Sequence, residues 1–344
     1  MIYRLINIPI FLEIGEGILE RFDEILKKNN VTFEKPLILS GPTSSKVLKG
    51  YEIFETYQTR IITSSDTDYL LQVKSSLYGQ GYDLLIAAGG GRIIDSGKFL
   101  SVETTIPVIA IPTILSSDSV SSPISILREN GRSRSLGTVM PTGVIIDLNI
   151  LKNSPDTYIK AGLGDLMSNL SAAFDWELAS KKGIEKMDNF SRMIALMPAE
   201  KMLTGHKNYN GLKDPDFLKD LAEGLVLSGV SMGIAGSSRP ASGSEHNISH
   251  SLDRILEDRK KLHGIQVGFA SLLTLRLQNQ HERARMLEDF FGKMGFPVEP
   301  GKIGISCDEF TKALEIAPRI RQRYTILNEY QPHEIISIFK DIFC

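Results

Sequence analysis

Tyr82-Asp-Leu-Leu-Ile-Ala-Ala88 runs straight into Gly89-Gly90-Gly91-Arg92-Ile93-Ile94-Asp95. An unbroken apolar run closed by three glycines reads as a buried strand, a tight turn and the start of a helix. Continuous rather than alternating hydrophobicity marks a strand covered on both faces, as in a parallel sheet. The flanking segments repeat the pattern. Lys35–Ser40 (KPLILS) reads as a strand ending in Gly41-Pro42, and Pro107–Ile111 (PVIAI) as another. Asp66–Tyr78 and Arg92–Val102 carry helical spacing between them. Ser122–Arg128 and Gly143–Asp147, on either side of the turn Glu129-Asn130-Gly131, read as further strands.

After residue 150 the strand signal ends. Ser154-Pro155-Asp156 offers a hydroxyl and then a proline, a favourable helix start. Leu218–Ala235 is a long apolar helix that stops at Gly236-Ser-Ser-Arg-Pro240. Ser242-x-x-Glu245 has the form of a capping box opening a helix to about Glu257. The expected fold is therefore α/β, a Rossmann-like parallel sheet over 1–155, followed by an all-helical domain over 156–344. The short join leads us to expect closely packed domains with a ligand cleft between them.

Composition excludes several classes. Of the 344 residues 42% are apolar and 23% charged, ordinary for a globular chain. Lys plus Arg number 39 against 41 Asp plus Glu, so no basic surplus points to nucleic acid or an anionic membrane. No charge-free run of about 18 apolar residues exists to span a membrane. The N-terminal MIYRLINIPIFLEIGEG makes a poor signal peptide. The two cysteines, Cys307 and Cys344, are far too few for a disulfide framework. These features lead us to expect a cytoplasmic protein.

Strand, glycines and helix start together suit a phosphate. Glycines admit it to the backbone, and the first helical N–H groups bind the anion. Gly89, Gly90 and Gly91 are the candidates. The spacing is neither GxGxxG nor a P-loop, and a tight turn needing positive φ accounts equally well for the glycines. The stretch after Ser40, Gly41-Pro-Thr-Ser-Ser-Lys46, holds no carboxylate for a ribose 2′-hydroxyl. It leaves room for a 2′-phosphate near Lys46, so NADP is expected to be tolerated. A strong kinetic preference for NAD would count against this.

Three of the six histidines fall within 18 residues: His246, His250 and His263. His246 and His250, at i and i+4, share a helix face. His263 opens the next helical segment and can fold back on them. With Asp165 in Gly162-Leu-Gly-Asp-Leu-Met-Ser-Asn169 they offer two nitrogens and a hard oxygen, a first shell for a catalytic divalent metal with one position open. Solvated helix histidines are the plainer alternative. The other three, His206, His281 and His333, read as surface. Asp118, in Pro112-Thr-Ile-Leu-Ser-Ser-Asp118, follows a strand at the end where such sheets bind ligands, with Thr113, Ser116 and Ser117 beside it. A polar loop with Asp118 as an N-cap fits as well.

Taken together, GGGR-x-x-D-x-x-K (89–98), PT-x-x-SSD (112–118), GD-x-x-SN (164–169), SSRPASG-x-EH-x-x-SH-x-LD (237–253) and LHG-x-Q-x-G (262–268) resemble the glycerol-1-phosphate dehydrogenases. That family belongs with the iron-type alcohol dehydrogenases, glycerol dehydrogenases and 3-dehydroquinate synthases. The resemblance implies reduction of dihydroxyacetone phosphate to sn-glycerol 1-phosphate with NAD or NADP and one divalent metal, zinc first, with nickel or iron as alternatives. It implies that Gly91 to Asp95, Lys98, Thr113, Ser116 and Ser122 hold the dinucleotide, and that Asp165, His246 and His263 bind the metal. It also implies that Asp118 and His250 contact the substrate, Asp165 touching both. A small-molecule substrate and a homo-oligomer are expected. The phosphate ligands do not transfer, and Arg239 and Asn169 are the candidates. Segment 206–216 matches no motif. The nearest rival is a glycerol or polyol dehydrogenase on the same scaffold. A 3-dehydroquinate synthase-like lyase, with Glu where Asp165 stands, and a silent binding module are the others.

Overall fold

The computed structural model describes residues 8–344. The signal-peptide reading rests partly on residues 1–7, which lie outside the described residues. The chain divides into two compact units, Met1–Pro155 and Asp156–Cys344.

The first unit is built on a six-stranded parallel sheet. Its strands are β1 (Phe11–Gly15), β2 (Pro36–Ser40), β3 (Gln58–Ile61), β4 (Leu84–Gly89) and β5 (Val108–Pro112), then, after a separate hairpin of β6 (Ile124–Glu129) and β7 (Arg132–Gly137), β8 (Gly143–Asp147). The spatial order is β1-β8-β5-β4-β2-β3. Every residue of β2, β4, β5 and β8 is buried, which explains their continuous apolar runs. From β2 the chain goes outward to β3 and then returns to β4 on the other side of β2. The ends of β2 and β4 therefore frame a topological switch point, where open α/β sheets bind ligands.

Two sequence expectations change here. The strand across the Asn130-Gly131 turn is β7, not Gly143–Asp147, which lies in the main sheet between β1 and β5. Asn130 (φ 50) and Gly131 (φ 75) supply the two positive φ angles of a type I′ hairpin turn. The strands β1, β3 and β7 went unread because they are edge or hairpin strands, half exposed and without a continuous apolar run.

The second unit is helical within the described residues. Its central helix, Asp156–Lys181, is buried along most of its length. It packs against His263–Leu277 at backbone distance. A Cβ on Gly264 would stand 1.9 Å from the Ala161 carbonyl oxygen, and one on Gly268 would stand 2.6 Å from the Gly164 Cα. Asp175 ties several elements together. Its carboxylate accepts from Ser244 N at 2.6 Å, Ile326 N at 2.7 Å and Gln278 Nε2 at 3.1 Å. Burial, then the nearby Glu245, push its pKa up to about 6.

Two further readings are corrected, and a third gains detail. The Ser244–Leu256 helix has Gly243 as its N-cap, with no side-chain cap; Glu245 instead accepts from Gly243 N at 2.6 Å. His206 is buried, with Nδ1 2.7 Å from the Leu203 oxygen, and its ring meets Phe290. Cys307 and Cys344 do not make a framework, but they are joined in one disulfide linking Cys307–Ile316 to Pro332–Phe343. No described helix is long and apolar enough to cross a membrane.

Candidate active site

The glycine turn works by space, not by backbone sign. None of Gly89, Gly90 and Gly91 has positive φ, so that explanation of the triplet is overturned. A Cβ on Gly89 would lie 2.8 Å from Ile93, one on Gly90 2.9 Å from Ile114, and one on Gly91 2.9 Å from the Ser119 hydroxyl. The backbone is thereby left bare at the ends of β4 and β5. The helix Gly91–Thr104 begins there with no side-chain cap, so its first N–H groups suit an anion. Thr113 follows β5, bonded through its N–H to the Gly89 carbonyl, and Ser116 lies partly exposed three residues on. Lys46 is exposed in the short helix Ser44–Val47 beyond β2.

Lys98 and Ser122 depart from the reading as dinucleotide contacts. Lys98 is fully buried. Its ammonium bonds the carbonyls of Ser119 (2.9 Å), Ser122 (3.1 Å) and Ile124 (2.6 Å) and pairs with Asp95 at 2.8 Å. No donor is left facing solvent. The Ser122 hydroxyl turns inward to the Ile124 carbonyl. Asp95 accepts from Ile126 N, and its pKa is raised because burial outweighs the lysine. These three side chains pin the 119–126 loop to the helix behind the glycine turn. Asp118 stands directly before that loop, partly exposed, in the turn Asp118–Val120.

In the second unit Asp165, His246 and His263 come together. One ligand atom from each lies within 4.8 Å of the others. Asp165 is carried on the central helix, buried, with Oδ1 3.8 Å from His263 Nε2. The rings of His246 and His263 are 4.8 Å apart by centroid. Each imidazole has its other nitrogen occupied. His246 Nδ1 stands 2.9 Å from the buried Glu245 carboxylate. His263 Nδ1 stands 3.2 Å from the Ser249 hydroxyl.

The tautomer of His263 can be derived. Asp253 accepts from Gln266 Nε2 at 3.1 Å, which fixes the amide so that Oε1 faces Ser249. The Ser249 hydroxyl gives its one proton to that oxygen at 2.6 Å. It can then only accept from His263, so the ring proton is on Nδ1 and the Nε2 lone pair faces Asp165. Outer partners of this kind orient metal-binding histidines. The chain Asp253–Gln266–Ser249–His263 was not assigned from sequence, although Asp253 and Gln266 stood in the quoted motifs.

His250 completes the cluster, its ring 6.3 Å from that of His263. Its Nε2 is 3.3 Å from Arg321 Nη1. A guanidinium only donates, so His250 accepts there and is neutral. Burial, then the surrounding His263, His246, Arg321 and Arg323, hold its pKa down to about 2. Burial, then Arg321 and Arg323, likewise hold His246 down to about 3. The His263 side chain, 41% exposed, is where the cluster opens to solvent. Neutral imidazoles are the metal-binding form. Two imidazoles, a carboxylate and lone pairs facing one point fit a divalent cation. A cavity of about 790 Å³ contains none of these side chains; Lys160, Lys260, Lys261 and Lys302 line it.

The two candidate phosphate ligands are mostly committed elsewhere, Arg239 keeping only its buried Nη1 without a partner. Arg239 pairs with Glu185 at 2.6 Å and bonds the Tyr324 carbonyl. Asn169 is buried, bonded to Ala195 O and Ser228. Segment 206–216 is a packed connection: Tyr209 stacks on Phe290 and bonds Asp220, and Asp214 caps the Pro215–Ala235 helix.

Comparison with known proteins bears on family and fold. The iron-containing alcohol dehydrogenase family profile matches residues 13–155. Glycerol-1-phosphate dehydrogenase [NAD(P)+] of Archaeoglobus fulgidus is 31% identical over 345 residues, 96% of each chain. The protein of the same name from Nitrosopumilus maritimus is 34% identical over 338 residues, 94% of this chain and 92% of its own. Among solved structures, a probable glycerol dehydrogenase from Sinorhizobium meliloti 1021 superposes with a TM-score of 0.77 at 19% identity, covering 99% of this chain and 98% of its own. A maleylacetate reductase from Agrobacterium tumefaciens gives 0.72 at 16% identity, covering 100% and 99%. At those identities the structures speak to fold alone.

Proposed function

This chain belongs to the glycerol-1-phosphate dehydrogenase family, and on that premise we propose that it reduces dihydroxyacetone phosphate to sn-glycerol 1-phosphate with NADH or NADPH. The observation that carries the reading is the convergence of Asp165, His246 and His263 within 4.8 Å beside a neutral His250 and two arginines.

Asp165, His246 and His263 would hold a divalent metal, zinc first by donor type, with nickel or iron as alternatives. When bound, the metal supplies Lewis-acid polarisation of a carbonyl oxygen and the dinucleotide supplies the hydride. The remaining work falls to the chain. The bare backbone at Gly89–Gly91 and the uncapped helix start receive the dinucleotide pyrophosphate, with Thr113 and Ser116 beside it. Asp95, Lys98 and Ser122 act by fixing the loop that follows Asp118. Asp118 and His250 contact the substrate. His250 keeps its proton on Nδ1 because Arg321 donates to Nε2, which orients the ring as a hydrogen-bond donor toward a developing alkoxide. The absence of a carboxylate after β2, with Lys46 exposed there, supports use of either cofactor.

A homo-oligomer is part of the proposal. Phe190, Met193 and Met197, each more than half exposed, form an apolar stripe on the Asn189–Gly205 helix. Light scattering coupled to size exclusion tests it; a monomer at micromolar concentration would refute it.

The deciding experiment compares dihydroxyacetone phosphate with dihydroxyacetone, each with NADH and NADPH, on zinc-loaded protein. A strong preference for the phosphorylated ketone supports the reading. Preference for dihydroxyacetone moves the chain to the glycerol dehydrogenase alternative. Full activity after chelation, or zinc retained by His263→Ala, rejects the metal assignment.

A further inference from the structure

The metal-ligand cluster is overhung by a surplus of positive charge. Burial, then the nearby Arg239, lowers the pKa of Arg321; burial, then Arg321 and Arg239, lowers that of Arg323. Arg239 is balanced by Glu185 at 2.6 Å. Arg321 and Arg323 have no such partner: among the described residues neither makes a direct carboxylate ion pair, Glu245 acting on both and Glu185 on Arg323 only at longer range. Arg323 donates to the Ser242 carbonyl at 2.6 Å and the Ser238 hydroxyl at 2.8 Å. Arg321 holds only long contacts, 3.4 Å to the Ser242 hydroxyl and 3.3 Å to His250. A guanidinium has five donors, so both keep unused N–H groups while partly exposed. Partly buried, mutually repelling guanidiniums on neutral acceptors are poised for a dianion.

Their placement says which one. His250, on the metal-ligand helix, touches Arg321 directly. The segment Ser238–Ser242 supplies the acceptors that aim both arginines, while its own Arg239 is tied away. Thr325 and Ile326, just after Arg323, are anchored by the Asp175 carboxylate through Ile326 N. The pair is thus a fixed fork one side chain from the reacting site. We infer that Arg321 and Arg323 form the binding site for the phosphate of a short phosphomonoester substrate and set the preference for a phosphorylated over a free ketone. The inference rests on the substrate reading above and replaces Arg239 and Asn169 as phosphate ligands.

The test uses the full-length chain and two readouts. In metal-free protein, inorganic phosphate binding is followed by calorimetry for the wild type, Arg321→Gln, Arg323→Gln and Arg321→Lys. In zinc-loaded protein, kcat and KM are measured for dihydroxyacetone phosphate, dihydroxyacetone, NADH and NADPH. Arg321→Gln is the primary variant, because its bonds are long and the fold depends on it least; circular dichroism and zinc content check folding. The expected result is loss of phosphate binding and a fall of about 30- to 100-fold in kcat/KM for dihydroxyacetone phosphate, mostly in KM. That fall should exceed the fall with dihydroxyacetone by at least about tenfold, and Arg321→Lys should recover part of it. Phosphate binding that persists in both Gln variants overturns the inference. Equal losses with both ketones, or a loss confined to NADPH, overturn it too. If the wild type does not prefer the phosphorylated ketone, the substrate reading falls. The arginine site then stands only if inorganic phosphate binds the wild type and not Arg321→Gln.

Discussion

The Ser249 hydroxyl stands 3.2 Å from Nδ1 of His263 while giving its own proton to Gln266 at 2.6 Å. One hydroxyl thereby sets the tautomer of an imidazole in the proposed metal site. Ser249→Ala removes the acceptor and frees the ring to take the other tautomer. Zinc affinity should fall by about 10- to 100-fold, read by competition with a chelating dye, with little change in unfolding midpoint of the metal-free protein. Unchanged affinity would show that the relay does no positioning.

Gly264 lets two ligand-bearing helices touch. Gly264→Ala drives a Cβ to 1.9 Å from the Ala161 carbonyl oxygen, which backbone cannot yield. We expect a loss of about 3 kcal/mol or more in urea unfolding, with zinc binding weakened because Asp165 and His263 separate. Gly292→Ala is the control. Nothing lies within 4 Å of a Cβ there and its φ is helical, so it should gain about 0.5–1 kcal/mol.

Lys98 and Asp95 are a buried pair 2.8 Å apart. Lys98→Met leaves a buried carboxylate and three carbonyls without their donor. A loss of about 3–5 kcal/mol is expected. Converting both residues to apolar ones should cost less than the sum of the single changes. Additive losses would mean that the two side chains act independently.

The histidines give a pH signature. The folded His250 titrates near 2, an unfolded one near 6.5. Its contribution to stability is complete above pH 6.5 and is lost as pH falls toward the folded value. The carboxylate of Asp175, raised to about 6, runs the other way, its contribution lost as pH rises. Comparing metal-free wild type with His250→Gln isolates the histidine. The stability difference should shift against the wild type by up to about 1.4 kcal/mol per pH unit below 6.5. A difference flat with pH would mean that His250 titrates in the fold as it does unfolded.

The parallel sheet, the glycine turn after β4 and the helical second half are legible in the chain alone. Each is written in local periodicity: buried strands as unbroken apolar runs, helices as 3.6-residue spacing. The sequence also pointed to the candidate histidine cluster, because His246 and His250 share one helix turn and His263 opens the next helix, while the proposed metal roles of Asp165, His246 and His263 came from the family resemblance. Tertiary structure decided what local pattern cannot carry. The edge strands β1 and β3 lack a two-sided burial signal. Lys98 reads as a ligand contact until the loop 119–126 folds over its ammonium. Arg321 and Arg323 lie in a run, Arg319-Ile-Arg-Gln-Arg323, that looks like any solvated basic stretch. The anchoring of Ile326 by Asp175, 151 positions away in sequence, and the bonds of Arg323 to Ser238 and Ser242 hold them beside His250. A charge gains meaning from what it is buried against, and that is a property of the fold.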